Sequence, residues 1–153
     1  MGYPKLPLNG SCLCGAVQVR ITAPPLLTFA CHCRDCQKLT ASAYSLTVMF
    51  PSEGFEVSGS LTRGGLKTET RQHYFCSHCL NFIYSQIKGA EYRVNVRASL
   101  LDDLTWFEPF VELMTDEKLP WAQVPAPHGY GQFPATMDEF KALLADYAKR
   151  NAD

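Results

Sequence analysis

Apolar and polar residues alternate with a period of two through much of the chain. Over 16–22, Val17, Val19 and Ile21 share one face while Gln18, Arg20 and Thr22 share the other, the pattern of a half-buried strand. Pro24 and Pro25 end it. Further strands are predicted over 43–50, stopped by Pro51, and over 54–58, 68–75, 82–87 and 91–97. Gly59-Ser60 and Arg63-Gly64-Gly65 read as turns, and Lys88-Gly89-Ala90 joins the last two strands as a hairpin. Residues 110–114 form one more short strand. Residues 1–11, with Pro4 and Pro7, read as an irregular lead-in. A short helical turn or loop is expected over 38–42, a loop over 98–109, and an ordered coil over 118–131.

The period changes near the C-terminus. Phe140, Leu143, Leu144 and Tyr147 follow helical spacing, and Thr136 with Glu139 has the form of a capping box. The stripe is read as core packing. Short strands separated by turns, followed by one helix, predict a mainly β fold: a sandwich of short antiparallel strands with one C-terminal helix.

Length changes this picture little: 153 residues suit one domain over 1–153, with a core over about 10–121 and a C-terminal coil and helix over 122–150. The formal net charge is −1. Seven thiolates on two divalent cations, seven negative charges against four positive, would take it to −4. Neither value points to nucleic acid or a membrane surface as partner. The first residues lack the apolar core of a signal peptide, and no apolar run reaches the ~20 residues that span a bilayer. The expected compartment is cytoplasmic, where thiols stay reduced.

The cysteines change the picture most. There are seven, an odd number that a complete disulfide framework would not use up. Cys12 and Cys14 form one close pair, and Cys76 and Cys79 form a Cys-x-x-Cys knuckle. Gly15 can take the positive φ that turns the first knuckle around a metal. Four thiolates fill a tetrahedral zinc and clamp two distant parts of the chain, whereas Cys31, Cys33 and Cys36 leave one position open. His32 lies between two of these and is expected to point away; His78 is read as a solvent-facing turn residue. The alternatives are one structural cluster of all seven thiols, or a second site closed inertly by histidine or water. An open Zn²⁺ held by three thiolates readily accepts a fourth, lowering that thiol's pKa. Arg34 and Lys38, beside the triplet, are candidates to offset the accumulated charge.

These motifs resemble a known family. Gly10-Ser11-Cys12-Leu13-Cys14-Gly15-Ala16-Val17, Cys31-His32-Cys33-Arg34-Asp35-Cys36-Gln37-Lys38 and Phe75-Cys76-Ser77-His78-Cys79 resemble the glutathione-dependent formaldehyde-activating enzymes, whose domain is shared with centromere protein V. The resemblance implies a zinc-stabilised β-sandwich similar to that of a Rab GTPase accessory factor. It implies a structural zinc on Cys12, Cys14, Cys76 and Cys79, a catalytic zinc on Cys31, Cys33 and Cys36, and carbon–sulfur lyase chemistry joining glutathione and formaldehyde. Three departures stand out. Leu80 follows Cys79 where the family usually has glycine, so that knuckle is expected to close differently. Ala41 stands where a glycine often follows the central motif, and Glu112 where a histidine is often found.

Two kinds of function fit. One is an enzyme that binds a thiol such as glutathione at the open zinc and adds or releases an aldehyde-type electrophile. Arg34, Lys38, Arg63, Lys67, Arg71 and Arg97 are candidates to meet the two carboxylates of glutathione. Tyr44, Tyr74 and His73 are candidates for proton transfer or plain strand packing. The other is a zinc-stabilised binding module without catalysis; a redox sensor that loses zinc from the triplet is a third idea. The oligomeric state is left open, with Trp121 in the 118–131 coil a candidate contact.

Overall fold

The computed structural model describes residues 2–65 and 69–152. The chain forms β1 (Leu8–Ser11), β2 (Gln18–Ile21), β3 (Leu27–Cys31), α1 (Arg34–Thr40), β4 (Ser45–Pro51), β5 (Phe55–Ser58), β6 (Leu61–Arg63) and β7 (Arg71–Cys76). It continues through β8 (Phe82–Ile87), β9 (Arg93–Arg97), β10 (Val111–Leu113), β11 (His128–Gly129) and α2 (Met137–Ala152). The strands make a three-stranded sheet in the order β1-β2-β5 and an eight-stranded sheet in the order β11-β10-β3-β4-β9-β8-β7-β6.

The small sheet packs on one face of the large one, as the alternation requires. Val19 and Ile21 of β2 meet Val48 and Phe50 of β4, Ile83 of β8 and Val94 and Val96 of β9, all nearly or fully buried. Burying each such side chain contributes about 1.5–3 kcal/mol. The opposite face of the large sheet carries a second cluster, with Leu27, Phe29, Val111 and Phe110 under Leu143 and Tyr147 of α2. Phe110 and Tyr147 meet edge-to-face at 5.3 Å. The apolar stripe of α2 is therefore core packing. Thr136 Oγ1 accepts from the Glu139 amide at 3.1 Å, while Glu139 Oε2 accepts from the Ala135 amide at 2.8 Å. The cap thus closes one residue earlier than a capping box.

Several elements depart from the sequence reading, among them β6, which takes in Arg63 of an expected turn, and β11, within the expected 118–131 coil. The lead-in contains β1, which pairs antiparallel with β2; a Cβ at Gly10 would collide with the Leu100 carbonyl, so glycine lets the strand approach. β3 was hidden because it is buried on both faces and shows no alternation. α1 starts at Arg34, earlier than the 38–42 turn expected, because Cys33 caps it: its Sγ accepts from the Cys36 amide at 3.3 Å. Finally, not all pairing is antiparallel, since β10 runs parallel to β3 and to β11. The 68–75 strand starts at Arg71; Thr68 lies outside the described residues.

Candidate metal centres and the adjoining cavity

Cys12 follows β1 and Cys76 ends β7, so each pair sits in a turn between a strand and its successor. Gly15 takes φ 77°, and its amide donates to the Cys12 carbonyl at 3.0 Å. Leu80 takes φ 59°, and its amide donates to the Cys76 carbonyl at 2.9 Å. The second knuckle therefore closes through a left-handed residue although that residue is leucine. The Leu13 amide donates to Asn81 Oδ1 at 3.1 Å and ties the two turns together.

The four sulfurs lie within 4.8 Å of one another. Cys12 Sγ is 3.6 Å from Cys14 Sγ, which is 3.8 Å from Cys76 Sγ. Sulfurs about 2.3 Å from a tetrahedral zinc would stand about 3.8 Å apart, so this donor set fits such an ion. Amides of Val17, His78 and Cys79 point at the sulfurs, at 3.3, 3.4 and 3.5 Å. Burial pushes the Cys12 thiol up, but the Val17 amide and the neighbouring thiols outweigh it and hold it at about 6.

The second group forms where β3 runs into α1. Cys31 ends the strand, Cys33 caps the helix and Cys36 lies in its first turn, with the three sulfurs within 4.8 Å of one another. This set also fits a thiolate-binding metal, with one tetrahedral position left over. Hydrogen bonds from Cys31 and then Cys33, helped by Ser45 and the charge of Arg97, hold the Cys36 thiol at about 3. Sharing with Cys33 and Cys36 pushes Cys31 up.

Arg97 is the cation facing this triplet. It is 8% exposed, its guanidinium sits 4.5 Å from the centre of the Phe82 ring, and its charge acts on all three thiols. The sequence reading placed Arg97 among several carboxylate partners and gave the charge-offsetting role to Arg34 and Lys38. Arg34 is exposed, donates to Gln37 Oε1 and lines the cavity beside the triplet. Lys38 is exposed on α1 and does not line the cavity, which that helix meets with Arg34, Asp35, Cys36 and Leu39.

His32 turns away from the triplet and is fully buried. Its Nε2 lies 2.9 Å from Glu112 Oε1, which also accepts from Lys118 Nζ at 2.8 Å, and its ring meets Tyr44 edge-to-face at 5.3 Å. Burial raises the Glu112 carboxyl, but hydrogen bonds from Lys118 and His32 outweigh it and hold it below its usual range. The glutamate thus anchors the histidine between two cysteines. His78 is exposed in its turn.

The triplet opens into a cavity of about 850 Å³ between the large sheet and the 133–143 stretch that leads into and starts α2. All three of its cysteines line the cavity and none of the other four does. Strand register arranges the floor in rows. Cys31 lies beside Ser45, then Phe29 beside Thr47 and Arg97, then Leu27, Met49, Asn95, Ser85 and His73 in one line across the sheet. Arg93 and Arg71 lie beyond. Thr47 Oγ1, Asn95 Oδ1 and the Nε atoms of Arg93 and Arg97 are buried without a hydrogen-bond partner, and all four belong to this lining. Such a concentration of unmet polar atoms is the mark of a site shaped for a polar ligand.

Of the proton-transfer candidates, only His73 lines the cavity. Its Nδ1 donates to the Gly65 carbonyl at 2.9 Å, and burial, then the charges of Arg97 and Arg71, lower its pKa. Tyr74 stacks on Tyr84 at 4.6 Å in the core between the sheets, and Tyr44 packs on His32. Arg63 is exposed outside the lining, and Lys67 lies outside the described residues. Trp121 is exposed, and the cavity is covered by residues later in the chain than the 118–131 coil. Arg93 and Asn95 were missed as site residues. Their signal was present: Arg93, Asn95 and Arg97 alternate with Val94 and Val96, which puts three polar groups on one face of an interior strand.

The family profile described as glutathione-dependent formaldehyde-activating enzyme matches residues 7–117. The chain belongs to this family. It is 28% identical over 126 residues to a Halomonas elongata protein named "Putative glutathione-dependent formaldehyde-activating enzyme", covering 76% of this chain and 80% of that one. A crystal structure of a Rhodobacter sphaeroides protein superposes with a TM-score of 0.53 at 20% identity, over 64% of this chain and 91% of that chain, a likeness of fold alone. The matched stretch contains all seven cysteines and ends before α2, so the roof of the cavity lies outside the family match. Among the described residues no helix is long and apolar enough to cross a membrane.

Proposed function

We propose that the protein is a cytoplasmic, zinc-dependent carbon–sulfur lyase that joins a small thiol of the glutathione kind to an aldehyde and releases it in reverse. The observation that carries this reading is that the three-cysteine group, and not the four-cysteine group, lines a cavity full of unpartnered polar atoms. Cys12, Cys14, Cys76 and Cys79 hold a structural zinc, and Cys31, Cys33 and Cys36 a catalytic one. The catalytic metal supplies a position where a thiol binds as its thiolate.

The chain's own residues do the rest. Arg97 offsets the charge that builds up when a fourth sulfur joins three thiolates. Arg34, Arg71 and Arg93 meet the carboxylates of the thiol, and Asn95, Ser85 and Thr47 pair with its amide groups. In the forward reaction the sulfur forms a bond to the carbonyl carbon, the C=O π bond breaks, and the proton lost by the thiol ends on the former carbonyl oxygen. His73, whose pKa is lowered by burial and then by the charges of Arg97 and Arg71, passes that proton. No redox partner is needed.

The test is metal content by mass spectrometry, with a calorimetric titration of glutathione, on the wild type and on Cys33→Ser. The expected result is two zinc ions per wild-type chain, one in the folded variant, and thiol binding only in the wild type. Serine keeps a helix cap at this position, so the variant should stay folded. A single zinc with global unfolding of Cys33→Ser, or two zincs without thiol binding, would reject the reading.

A further inference from the structure

The arginines on the cavity floor rest on aromatic rings and not on carboxylates. Arg97 Cζ lies 4.5 Å from the centre of the Phe82 ring, and Arg71 Cζ lies 5.7 Å from that of Phe133. Arg93 Cζ lies 5.4 Å from the centre of Phe140 and 5.8 Å from that of Tyr92. Among the described residues no carboxylate forms an ion pair with any of the three. Outside the cavity the pattern differs, since Arg20 pairs with Glu56 at 3.6 Å and Arg150 with Glu108 at 3.2 Å. The acids of the lining, Asp35 and Glu117, stand by α1, where Glu117 Oε1 accepts from the Arg34 amide.

The kind of partner decides what an arginine can still do. A carboxylate would cancel its charge and occupy its N–H edges. A ring takes up only the flat face of the guanidinium, fixes its plane, and leaves the charge and the edges for a ligand. Two of these rings come from the roof: Phe133 precedes α2 and Phe140 lies within it. Both fall beyond the 7–117 stretch that matches the family. Phe133 is 45% exposed, so filling the core is not its role. Arg71 is on β7 and Arg93 on β9, with β8 between them, so their strands stand two spacings, about 10 Å, apart. A thiol of three residues such as glutathione is also about 10 Å long when extended, with a carboxylate at each end and the sulfur in between.

We propose that Phe133 and Phe140 are positioning residues that hold Arg71 and Arg93 ready for two carboxylates, so that the cavity selects thiols with a carboxylate at each end of a tripeptide-length body. The proposal rests on the thiol–aldehyde reading above and adds to it the residues that set the choice of thiol.

The test removes the carboxylates and the rings separately. Glutathione, its monoethyl ester and its diethyl ester are titrated calorimetrically into the zinc-loaded full chain, as wild type, Phe133→Leu, Phe133→Tyr and Phe140→Leu. In the wild type each ester is expected to weaken binding about tenfold, because a charge-assisted contact is lost. Phe133→Leu and Phe140→Leu should each weaken glutathione about three- to tenfold and leave the diethyl ester unchanged. Phe133→Tyr keeps a ring face and should bind glutathione as the wild type does. Leucine variants that bind glutathione like the wild type, or that weaken glutathione and diethyl ester equally, overturn the proposal and leave the thiol–aldehyde reading standing. A wild type that binds glutathione and its esters alike does the same. No binding of glutathione to the wild type overturns both. Should Phe140→Leu fail to fold, the exposed position, Phe133, decides alone.

Discussion

Cys12, Cys14, Cys76 and Cys79 meet where two turns close on each other, with Cys14 exposed and backbone amides aimed at the sulfurs. Cys31, Cys33 and Cys36 meet where a buried strand becomes a helix, on the wall of a cavity that the buried Arg97 also lines. Four thiolates on a divalent ion carry −2, here at a site open to water. Three carry −1 in a low-dielectric pocket, where charge is expensive and Arg97 offsets it. The same ligand atom thus stands in two settings: four sulfurs make up a full tetrahedral set near solvent, while three, with Arg97 and the cavity beside them, leave one position over.

The strongest way to break this comparison is to remove one sulfur from the clamp. Cys76→Ser should lose the structural metal and unfold the chain, since a structural zinc contributes on the order of 10 kcal/mol and a domain has only about 5–15 kcal/mol in total. The far-ultraviolet circular dichroism of the purified variant checks this. Cys33→Ser should leave that signal intact. If both variants unfold, or neither does, the two groups have the same role and the contrast is lost.

Arg97 sharpens the comparison from the other side. Arg97→Met removes the buried guanidinium that sits over the Phe82 ring and keeps an unbranched apolar stem. The triplet should then hold zinc about 10–100-fold more weakly, with the quartet unaffected. Arg97→Lys should recover part of the loss. Competition with a chromophoric chelator, which strips the two ions in separate phases, reads both sites in one experiment. Equal affinities in wild type and Arg97→Met would show that the triplet does not need the charge.

The grouping into four and three was legible in the spacing as one of the alternatives, and the structure brings the sulfurs together in those two groups. The strands were legible wherever one face is wet, as in 16–22 and 82–87. β3 was not, since Leu27-Thr28-Phe29-Ala30-Cys31 is buried on both faces and carries no period. The cavity was the least legible part. Its floor needs the pairing of β3, β4, β9, β8 and β7, and register between strands depends on long-range packing that no local pattern states. Arg97 shows the consequence. It lies more than sixty residues beyond the cysteines it faces, whereas Lys38, a near neighbour in sequence, points to solvent.

The smallest expected effect concerns a feature the two centres share. Leu80 closes the second knuckle at φ 59°, and Ala41 ends α1 at φ 49°, both left-handed without glycine. For an L-residue this conformation costs roughly 1–2 kcal/mol. Leu80 is 64% exposed and Ala41 is exposed, so neither side chain offers much packing to offset the cost. Leu80→Gly and Ala41→Gly should each stabilise the zinc-loaded protein by about 1 kcal/mol, a rise of about 2–4 °C in Tm. The two should differ in what else they change. Leu80→Gly relaxes a turn already fixed by four sulfurs and should leave thiol binding untouched. Ala41→Gly sits at the end of the helix that presents Cys33 and Cys36, so any looseness it admits is transmitted to the open centre. Greater stability with weaker glutathione binding in Ala41→Gly, against greater stability alone in Leu80→Gly, would show strain kept where it holds a substrate site and merely tolerated where it closes a clamp.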